Sequence, residues 1–448
     1  MNTTKRATFG GKLGAILALA GGAVGLGNIW RFPYIAGENG GGAFLIIYVL
    51  CALLIGLPIM LAEFSIGRNG KSNPVGAFRK HHKAWRFFGY NCIFASLLIL
   101  GFYCVVTGWT LEYTVHSLTN SIVNNTTATA HSDFFQSFIT HPWRPLIYTV
   151  IALALTHITI ILGVQNGIER MSKVLMPLLF IMLIVLAVRS IMLPGSGEGL
   201  RFFLQPDFSK VTGKTFLLAI GQSFFSLSIG IGTMITYASY FQPDTDIRKS
   251  AAQVTVIDTL VAILAGVVIF PAVFSAGIEP GSGPSLVFIT LPSIFATLPL
   301  SAVWSTIFFI LLAVAAITSV ISIHEVVTAY IHEEWRLSRN RAAWLTSAVV
   351  LVLCVLASLS LGAWDSLKLF GMSLFDFLDF VTANIMLPIG GMMTALFAGW
   401  VVKRTIIHNE LTNYDTIPCS YEKVLRVLLR YICPIAVALI FLDNLGFI

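Results

Sequence analysis

Hydrophobic residues fall into eleven long stretches along the chain, separated by short polar connections. About 20 mostly apolar residues form a helix long enough to cross a bilayer. The pattern therefore predicts an all-α polytopic membrane protein with about eleven transmembrane helices. The predicted spans lie near residues 13–36, 41–66, 87–118, 145–163, 171–192, 215–240, 252–277, 299–333, 342–361, 377–402 and 424–445.

Composition and charge placement agree with this class. Of the 448 residues, 56% are hydrophobic and 11% are charged, against roughly 45 to 50% and about 25% in soluble domains. Lys and Arg concentrate in alternate connections, which the positive-inside rule places in the cytoplasm. With an odd number of spans, the expectation is a multi-pass protein of the cell's inner (plasma) membrane, with its N-terminus cytoplasmic and its C-terminus outside. The basic connections hold Lys5, Arg6 and Lys12, then segments 68–86, 170–173, 248–249, 336–341 and 403–430.

Other classes of protein find little support. The net charge of +7 is explained by the Lys and Arg residues of the cytoplasmic connections. No basic soluble domain is present to bind nucleic acid. The chain has no P-loop, zinc-protease motif, nucleophile elbow or dinucleotide fingerprint, so an enzyme is not expected. The six cysteines lack paired spacing, which argues against zinc and disulfides. The first apolar stretch has no small-residue cleavage site and is expected to remain as the first span.

Two predicted helices are interrupted by glycine. Residues 20–31 read AGGAVGLGNIWR, and residues 221–232 read GQSFFSLSIGIG. The bilayer core offers no water, so a helix can break there only where its freed backbone groups meet a ligand, an ion or neighbouring protein. Paired broken helices mark the substrate site of many ion-coupled transporters. The two breaks therefore predict a polar binding site at mid-membrane.

Each broken helix begins a set of five spans. Because five is odd, the two sets would lie in opposite orientations, which predicts a 5+5 inverted repeat with discontinuous helices one and six. The first repeat would cover residues 11–192, the second residues 214–405, and an additional eleventh helix residues 423–446. This prediction rests on the layout of the spans.

Several motifs in order identify a resemblance that covers nearly the whole chain. The sequence is similar to the neurotransmitter:sodium symporter family, especially its bacterial amino-acid transporters with the leucine-transporter fold. The resemblance implies a sodium-coupled secondary symporter that imports an L-amino acid by alternating access. The motifs are NIWRFPY at 28–34, ENGGGAF at 38–44, GQSFFSLS at 221–228, ITYASY at 235–240 and LSR at 337–339.

The resemblance also implies two sodium sites. Sodium is a hard cation and is held by oxygen atoms. The first site would use Ala23, Asn28, Ser226 and Asp258, together with the substrate carboxylate. The second site would use the carbonyls of Gly21, Val24 and Ala315 and the hydroxyls of Thr318 and Ser319. The alternative for the two hydroxyls is a bond back to their own helix, the commoner fate of such residues.

Asp258 departs from the family pattern, which frequently has a neutral Asn there. An ionisable residue inside a span is costly and marks a functional site by default. Some bacterial relatives supply a nearby Glu where chloride-dependent members bind chloride, but Ala262 stands at the matching position. Asp258 is therefore predicted to supply the negative charge, so chloride would not be required. The alternative is a buried neutral carboxylic acid that bonds a helix carbonyl.

The substrate is predicted to carry a carboxylate and an ammonium group. Half-helix N-termini attract anions, which suits a carboxylate near Leu26, Gly27 and Tyr103. Gly25 stands where monoamine transporters have an Asp, so an amino acid fits better than a monoamine. The mostly apolar pocket suggests a hydrophobic or aromatic side chain, although any one of these residues could simply belong to the core. The substrate-binding candidates are Gly22, Ala23, Leu26, Gly27, Ile99, Tyr103, Phe225, Ser226, Ser228, Ile231, Ser319 and Ile323.

Charged residues supply candidates for two gates. Arg31 and Asp379 resemble the family's outer gate, above Tyr103 and Phe225, and Arg6 and Glu333 resemble the inner gate. Glu63 in span two is expected to bond backbone groups exposed by the breaks.

Two other functions stay open. A channel would favour a continuous polar pore, whereas a non-transporting amino-acid receptor in the membrane could share every binding residue. The sequence leaves open which amino acid is bound, the sodium stoichiometry, proton counter-transport and the oligomeric state.

Overall fold

A bundle of apolar helices forms the molecule. The computed structural model describes residues 6–121, 127–277 and 286–444. Within them, nine unbroken helices are long and apolar enough to cross a membrane: Gly42–Gly70, Lys83–Leu118, Arg144–Ile161, Val164–Ile191, Ile247–Ser275, Ser301–Glu334, Arg339–Leu359, Leu374–Val401 and Glu422–Asp443. We number them as spans two to five and seven to eleven. The main connecting helices are Pro74–His81, Ala128–Ile139, Ser196–Leu204, Leu286–Ala296 and Arg404–Thr412.

Spans one and six are broken, as predicted. In span one, Lys12–Ala23 and Gly27–Glu38 meet at a bend of 51°. In span six, Gly213–Ser226 and Thr233–Ala238 are separated by non-helical backbone. By length and composition, the nine unbroken helices and the bent pair of span one make up to ten candidate spans in the described parts of the chain, and we number the second broken helix as span six. Lys5 and residues 445–446, at the end of the predicted last unit, lie outside the described residues.

Glycine accounts for the shape of the second break. Gly230 and Gly232 have φ angles of +86° and +80°, which glycine adopts without steric cost. A Cβ atom on Gly390 of span ten would lie 2.2 Å from the carbonyl oxygen of Gly230, so span ten packs directly against the break. The Gly230 N–H donates to Glu63 Oε1 at 2.9 Å, which confirms the role expected of Glu63.

The spans differ in how far the bundle covers them. We compared the most apolar 18-residue stretch of each span. In that stretch, 83% is buried in span three and 78% in span eight, but only 39% is buried in span five and 33% in span eleven. Spans three and eight are therefore central, and spans five and eleven are peripheral. Half-exposed Ile181 and Ile184 of span five lie on a face that suits lipid contact.

The connecting helix Arg404–Thr412 is held to the bundle by ionic contacts. The Arg68 guanidinium contacts Glu410, and both side chains are buried. His408 lies between two carboxylates, with Nδ1 at 2.6 Å from Glu422 and Nε2 at 2.9 Å from Asp415. These hydrogen bonds raise the pKa of His408 above its usual range, so the folded state favours the protonated ring.

The His408 contacts predict a pH-dependent stability. Because the pKa of His408 is higher in the folded state, the protonated ring stabilises the fold. This contribution is complete below the usual histidine pKa of about 6.5, and it is lost as the pH rises through the higher pKa of the folded state. We therefore expect His408→Ala to lower the thermal unfolding midpoint more at acidic than at alkaline pH. His332→Ala is the control, because this ring bonds the Leu337 carbonyl instead of a carboxylate. An equal loss at both pH values would contradict the prediction.

Candidate functional site

Asp258 is the centre of a buried polar cluster between the two breaks. The Asn28 Nδ2 donates to Asp258 Oδ1 and to Ser226 Oγ, at 2.8 Å in each case. Ser226 Oγ donates to Asp258 Oδ2 at 2.7 Å. All three residues are buried, and span seven thus presents a carboxylate to both broken helices.

The donor set of this cluster fits a hard cation. It offers a carboxylate and a hydroxyl, and the hydrogen bonds of the described residues leave the Ala23 carbonyl, at the end of the first half-helix, without a partner. Asn28 presents its amide nitrogen to Asp258, while its oxygen accepts from the Gly25 N–H at 3.1 Å. The amide would have to rotate for its oxygen to bind a cation there.

The residues predicted for a second cation also lie together. Ser319 Oγ donates to the Val24 carbonyl at 3.2 Å, and Thr318 Oγ1 donates to the Ala315 carbonyl at 3.0 Å. Gly21 packs against Thr318, whose Cβ is 3.4 Å from the position that a Gly21 Cβ would take. The Thr318 bond is local to its helix, but hydroxyl oxygens that donate keep lone pairs for a cation.

The predicted substrate-binding residues surround the break in span one. The Leu26 N–H donates to the Tyr103 hydroxyl at 2.9 Å, and Ser228 Oγ donates to the Gly22 carbonyl at 2.8 Å. Gly27 lies against the Phe225 ring. The three isoleucines predicted to line the pocket all belong to one buried hydrophobic cluster with Leu26 and Tyr103: Ile99, Ile231 and Ile323.

A cavity of about 350 Å³ lies over these residues. Leu26, Tyr103 and Phe225 line it, and its walls are largely aromatic. Apolar walls with a few polar groups are typical of small-molecule sites. The aromatic wall residues include Trp30, Trp109, Phe135, Phe288 and Phe375.

The two predicted gates are in different states. Arg31 and Asp379 both line the cavity, yet none of the ion pairs in the described chain joins them, and the Arg31 guanidinium lies 4.6 Å from the Phe225 ring centre. At the opposite end, Arg6 contacts Glu333, and Arg6 Nη2 also donates to Ser239 at 2.6 Å. The inner pair is joined and the outer pair is apart.

Comparisons with known proteins show the family of this chain. The model of the sodium:neurotransmitter symporter family matches residues 6–133 and 138–446. A sodium-dependent transporter of Bacillus subtilis, YhdH, is 36% identical over 100% of this chain and 99% of its own length. A sodium-dependent transporter of Haemophilus influenzae is 36% identical over 99% of both chains.

The chain belongs to the sodium:neurotransmitter symporter family. The crystal structure of MhsT in complex with L-phenylalanine matches it with a TM-score of 0.90 and 41% identity, covering 98% of this chain and all of that one. The predicted fold class, an all-α membrane protein with the leucine-transporter fold, is thereby confirmed. Sodium dependence and a role in transport follow from family membership.

Two residues at this candidate site were not predicted from the sequence. Tyr48 of span two donates to Ser226 at 3.1 Å and to Asp258 Oδ2 at 3.2 Å. Gln222 Nε2 donates to the Gly27 carbonyl at 2.8 Å. A single tyrosine in an apolar stretch gives no positional signal, whereas Gln222 stood inside the interrupted segment and could have been found there.

Proposed function

We propose that this protein is a sodium-coupled symporter that imports an L-amino acid with a hydrophobic or aromatic side chain. The observation that carries this proposal is the buried Asp258 cluster, which lies between two broken helices beneath an aromatic cavity. An isolated carboxylate is costly in an apolar interior unless it is paired. A transported cation would complete this site.

Both predicted ions have oxygen atoms available. Sodium at the first site would contact Asp258, Ser226 and the Ala23 carbonyl. Sodium at the second site would contact Ser319, Thr318 and the Gly21 carbonyl, which has no partner in the described hydrogen bonds. Because both sets include residues of span one, ion binding would fix the break in one conformation. These assignments are part of the proposal.

The substrate carboxylate would lie beside the break in span one. The Tyr103 hydroxyl accepts from the Leu26 N–H and retains its own proton to donate to a carboxylate. The positive end of the second half-helix, which begins at Gly27, would add a favourable field. The carboxylate could then also bind the sodium ion near Asp258, which would couple substrate to ion.

The surroundings favour an apolar side chain. Ile99, Ile231 and Ile323 offer no charged partner, and the cavity above is largely aromatic. MhsT, the solved relative, was crystallised with L-phenylalanine. Phenylalanine, tyrosine, tryptophan and leucine are therefore the first candidates.

The two gates support alternating access. With Arg6 joined to Glu333 and the outer pair apart, substrate would reach the site from the side of Arg31. Bringing Arg31 to Asp379 would close that route, and separating Arg6 from Glu333 would open the other.

Uptake into proteoliposomes tests the proposal. Radiolabelled L-amino acids would be offered under an inward sodium gradient and under an equal potassium gradient. Concentrative uptake with sodium alone, strongest for an aromatic or large aliphatic amino acid, is expected. Sodium-dependent binding without accumulation would indicate a receptor instead. Flux far above carrier turnover would indicate a channel.

Chloride is expected to have no effect on uptake. The Asp258 carboxylate places a fixed negative charge beside the first site, and Ala262 leaves no second acid at the neighbouring helical turn. Replacing chloride with gluconate at constant sodium should leave the initial rate unchanged. A rate that rises with chloride in the wild type would contradict this role of Asp258 without contradicting sodium coupling.

A further inference from the structure

A small basic groove lies where spans ten and eleven meet the helix Arg404–Thr412. It has a volume of about 30 Å³ and is lined in part by Arg404, Arg426 and Arg430. Arg68 and Glu410 tie the Arg404–Thr412 helix to the end of span two, which lies at the same end of the bundle as the Arg6–Glu333 pair. The transport mechanism uses none of these three arginines.

The groove holds more positive than negative charge. Glu422 is the carboxylate among its lining residues, and Arg404 and Arg426 share its Oε1 at 3.3 and 3.0 Å. Arg430 donates instead to the Gly399 carbonyl at 2.6 Å. A guanidinium carries five N–H donors, and in the described hydrogen bonds each arginine uses one. The groove therefore offers unused donors of the type that binds phosphate.

Aromatic residues place the groove at the membrane surface. The Arg430 guanidinium lies 4.7 Å from the Trp400 ring centre, and the Trp400 and Tyr431 rings meet edge to face at 5.5 Å. Both rings are about half exposed. Tryptophan and tyrosine concentrate at the level of lipid headgroups. Farther along span eleven, Ile435 is 58% exposed and offers an apolar surface to acyl chains.

We propose that this groove binds the headgroup phosphate of an anionic phospholipid. Arg404 and Arg426 would hold the phosphate oxygens, Arg430 would add a further cation, and the acyl chains would follow span eleven. Basic pockets between helices at the cytoplasmic surface suit such headgroups. Three arginines and one glutamate leave a net charge of +2 in the groove. Each positive charge is expected to raise the affinity for an anionic lipid roughly fivefold. We therefore expect a preference of roughly 30-fold for phosphatidylglycerol over phosphatidylcholine.

Native mass spectrometry can test this site without any transport measurement. The full-length protein would be equilibrated with phosphatidylglycerol and phosphatidylcholine of identical acyl chains, and bound lipids counted. The test variant replaces Arg404, Arg426 and Arg430 with Gln. The matched control replaces Lys71, Arg336 and Arg341 with Gln, three exposed cations at the same end of the bundle. The test variant should lose the preference for phosphatidylglycerol, and the control should keep it.

A single substitution tests the same proposal if the triple variant does not fold. The Arg404 side chain is 64% exposed and makes one long bond, so Arg404→Gln should fold and lower the preference about fivefold. Equal lipid retention by the triple variant and the control would overturn the proposal. Displacement of phosphatidylglycerol by an equal concentration of glycerol phosphate would also overturn it, since a soluble phosphate would then be the ligand.

Discussion

Asp258→Asn is expected to reduce the apparent sodium affinity by roughly two orders of magnitude while leaving the protein folded. Sodium at the proposed first site would lose a charged oxygen ligand in a buried setting. Removing one partner of a buried ionic contact costs roughly 3 to 5 kcal/mol, and about 1.4 kcal/mol corresponds to tenfold in affinity. The lower end of this range already gives a hundredfold loss.

The fold should survive because asparagine can keep the local hydrogen bonds. Its amide oxygen can accept from Asn28 Nδ2, as Asp258 Oδ1 does at 2.8 Å. Its amide nitrogen can donate to the Ser226 and Tyr48 hydroxyls, which now lie 2.7 and 3.2 Å from Oδ2. Both hydroxyls can rotate to accept. Asp258→Ala would leave these groups unpaired and destabilise the fold, so a loss of sodium binding could not be separated from a loss of stability.

Thermal unfolding measures this effect before any substrate is known. A ligand that binds the native state raises the unfolding midpoint as its concentration rises. Sodium would replace potassium at constant ionic strength, and the midpoint shift would be followed in the wild type and Asp258→Asn. Glu112→Gln is the control, because Glu112 is another buried carboxylate and contacts Arg144 and His116. An unchanged sodium response in Asp258→Asn would refute the first-site assignment.

The parts of the site that could be predicted best are those where glycine or charged residues interrupt an apolar stretch. Glycine-rich runs inside apolar stretches have few physical explanations, so the breaks in spans one and six could be located to within a few residues. Asp258 was identified for the same reason, as an ionisable residue inside a span. In the structure it bonds to Asn28 and Ser226, one from each broken helix.

Contacts between residues far apart in the sequence could not be predicted in this way. Tyr48 reaches Ser226 and Asp258 from span two, but a tyrosine in an apolar stretch predicts nothing about its partners. The connecting helices Ala128–Ile139 and Leu286–Ala296 supply walls of the cavity, where Phe135 stacks on Phe288 at 5.5 Å. Short helices in polar connections have no periodicity long enough to place them over a site. The separation of Arg31 from Asp379 depends on how the spans pack, which local sequence does not specify.

Gly25→Ala is expected to lower sodium-dependent uptake about a hundredfold. A Cβ atom at this position would lie 2.5 Å from Ser319 Oγ and 2.8 Å from the Tyr103 hydroxyl, closer than such contacts allow. Ser319 can rotate away, but it then leaves the Val24 carbonyl at the proposed second sodium site. Tyr103 would have to move from Leu26, where the substrate carboxylate is proposed to bind. Two lost contacts of about 1.5 kcal/mol each would account for the expected change.

Gly11→Ala is the matched control for this substitution. It adds the same methyl group at the N-cap of span one, where no atom lies within 4 Å of the new Cβ and the φ of −165° suits any residue. Uptake and the unfolding midpoint in potassium should therefore match the wild type. For Gly25→Ala, the midpoint in potassium should fall, because the Ser319 and Tyr103 hydrogen bonds of the ion-free fold are disturbed, and the sodium-induced shift should shrink in addition. Normal uptake by Gly25→Ala would show that neither sodium nor substrate uses the space beside Gly25, and the proposed binding geometry would fail.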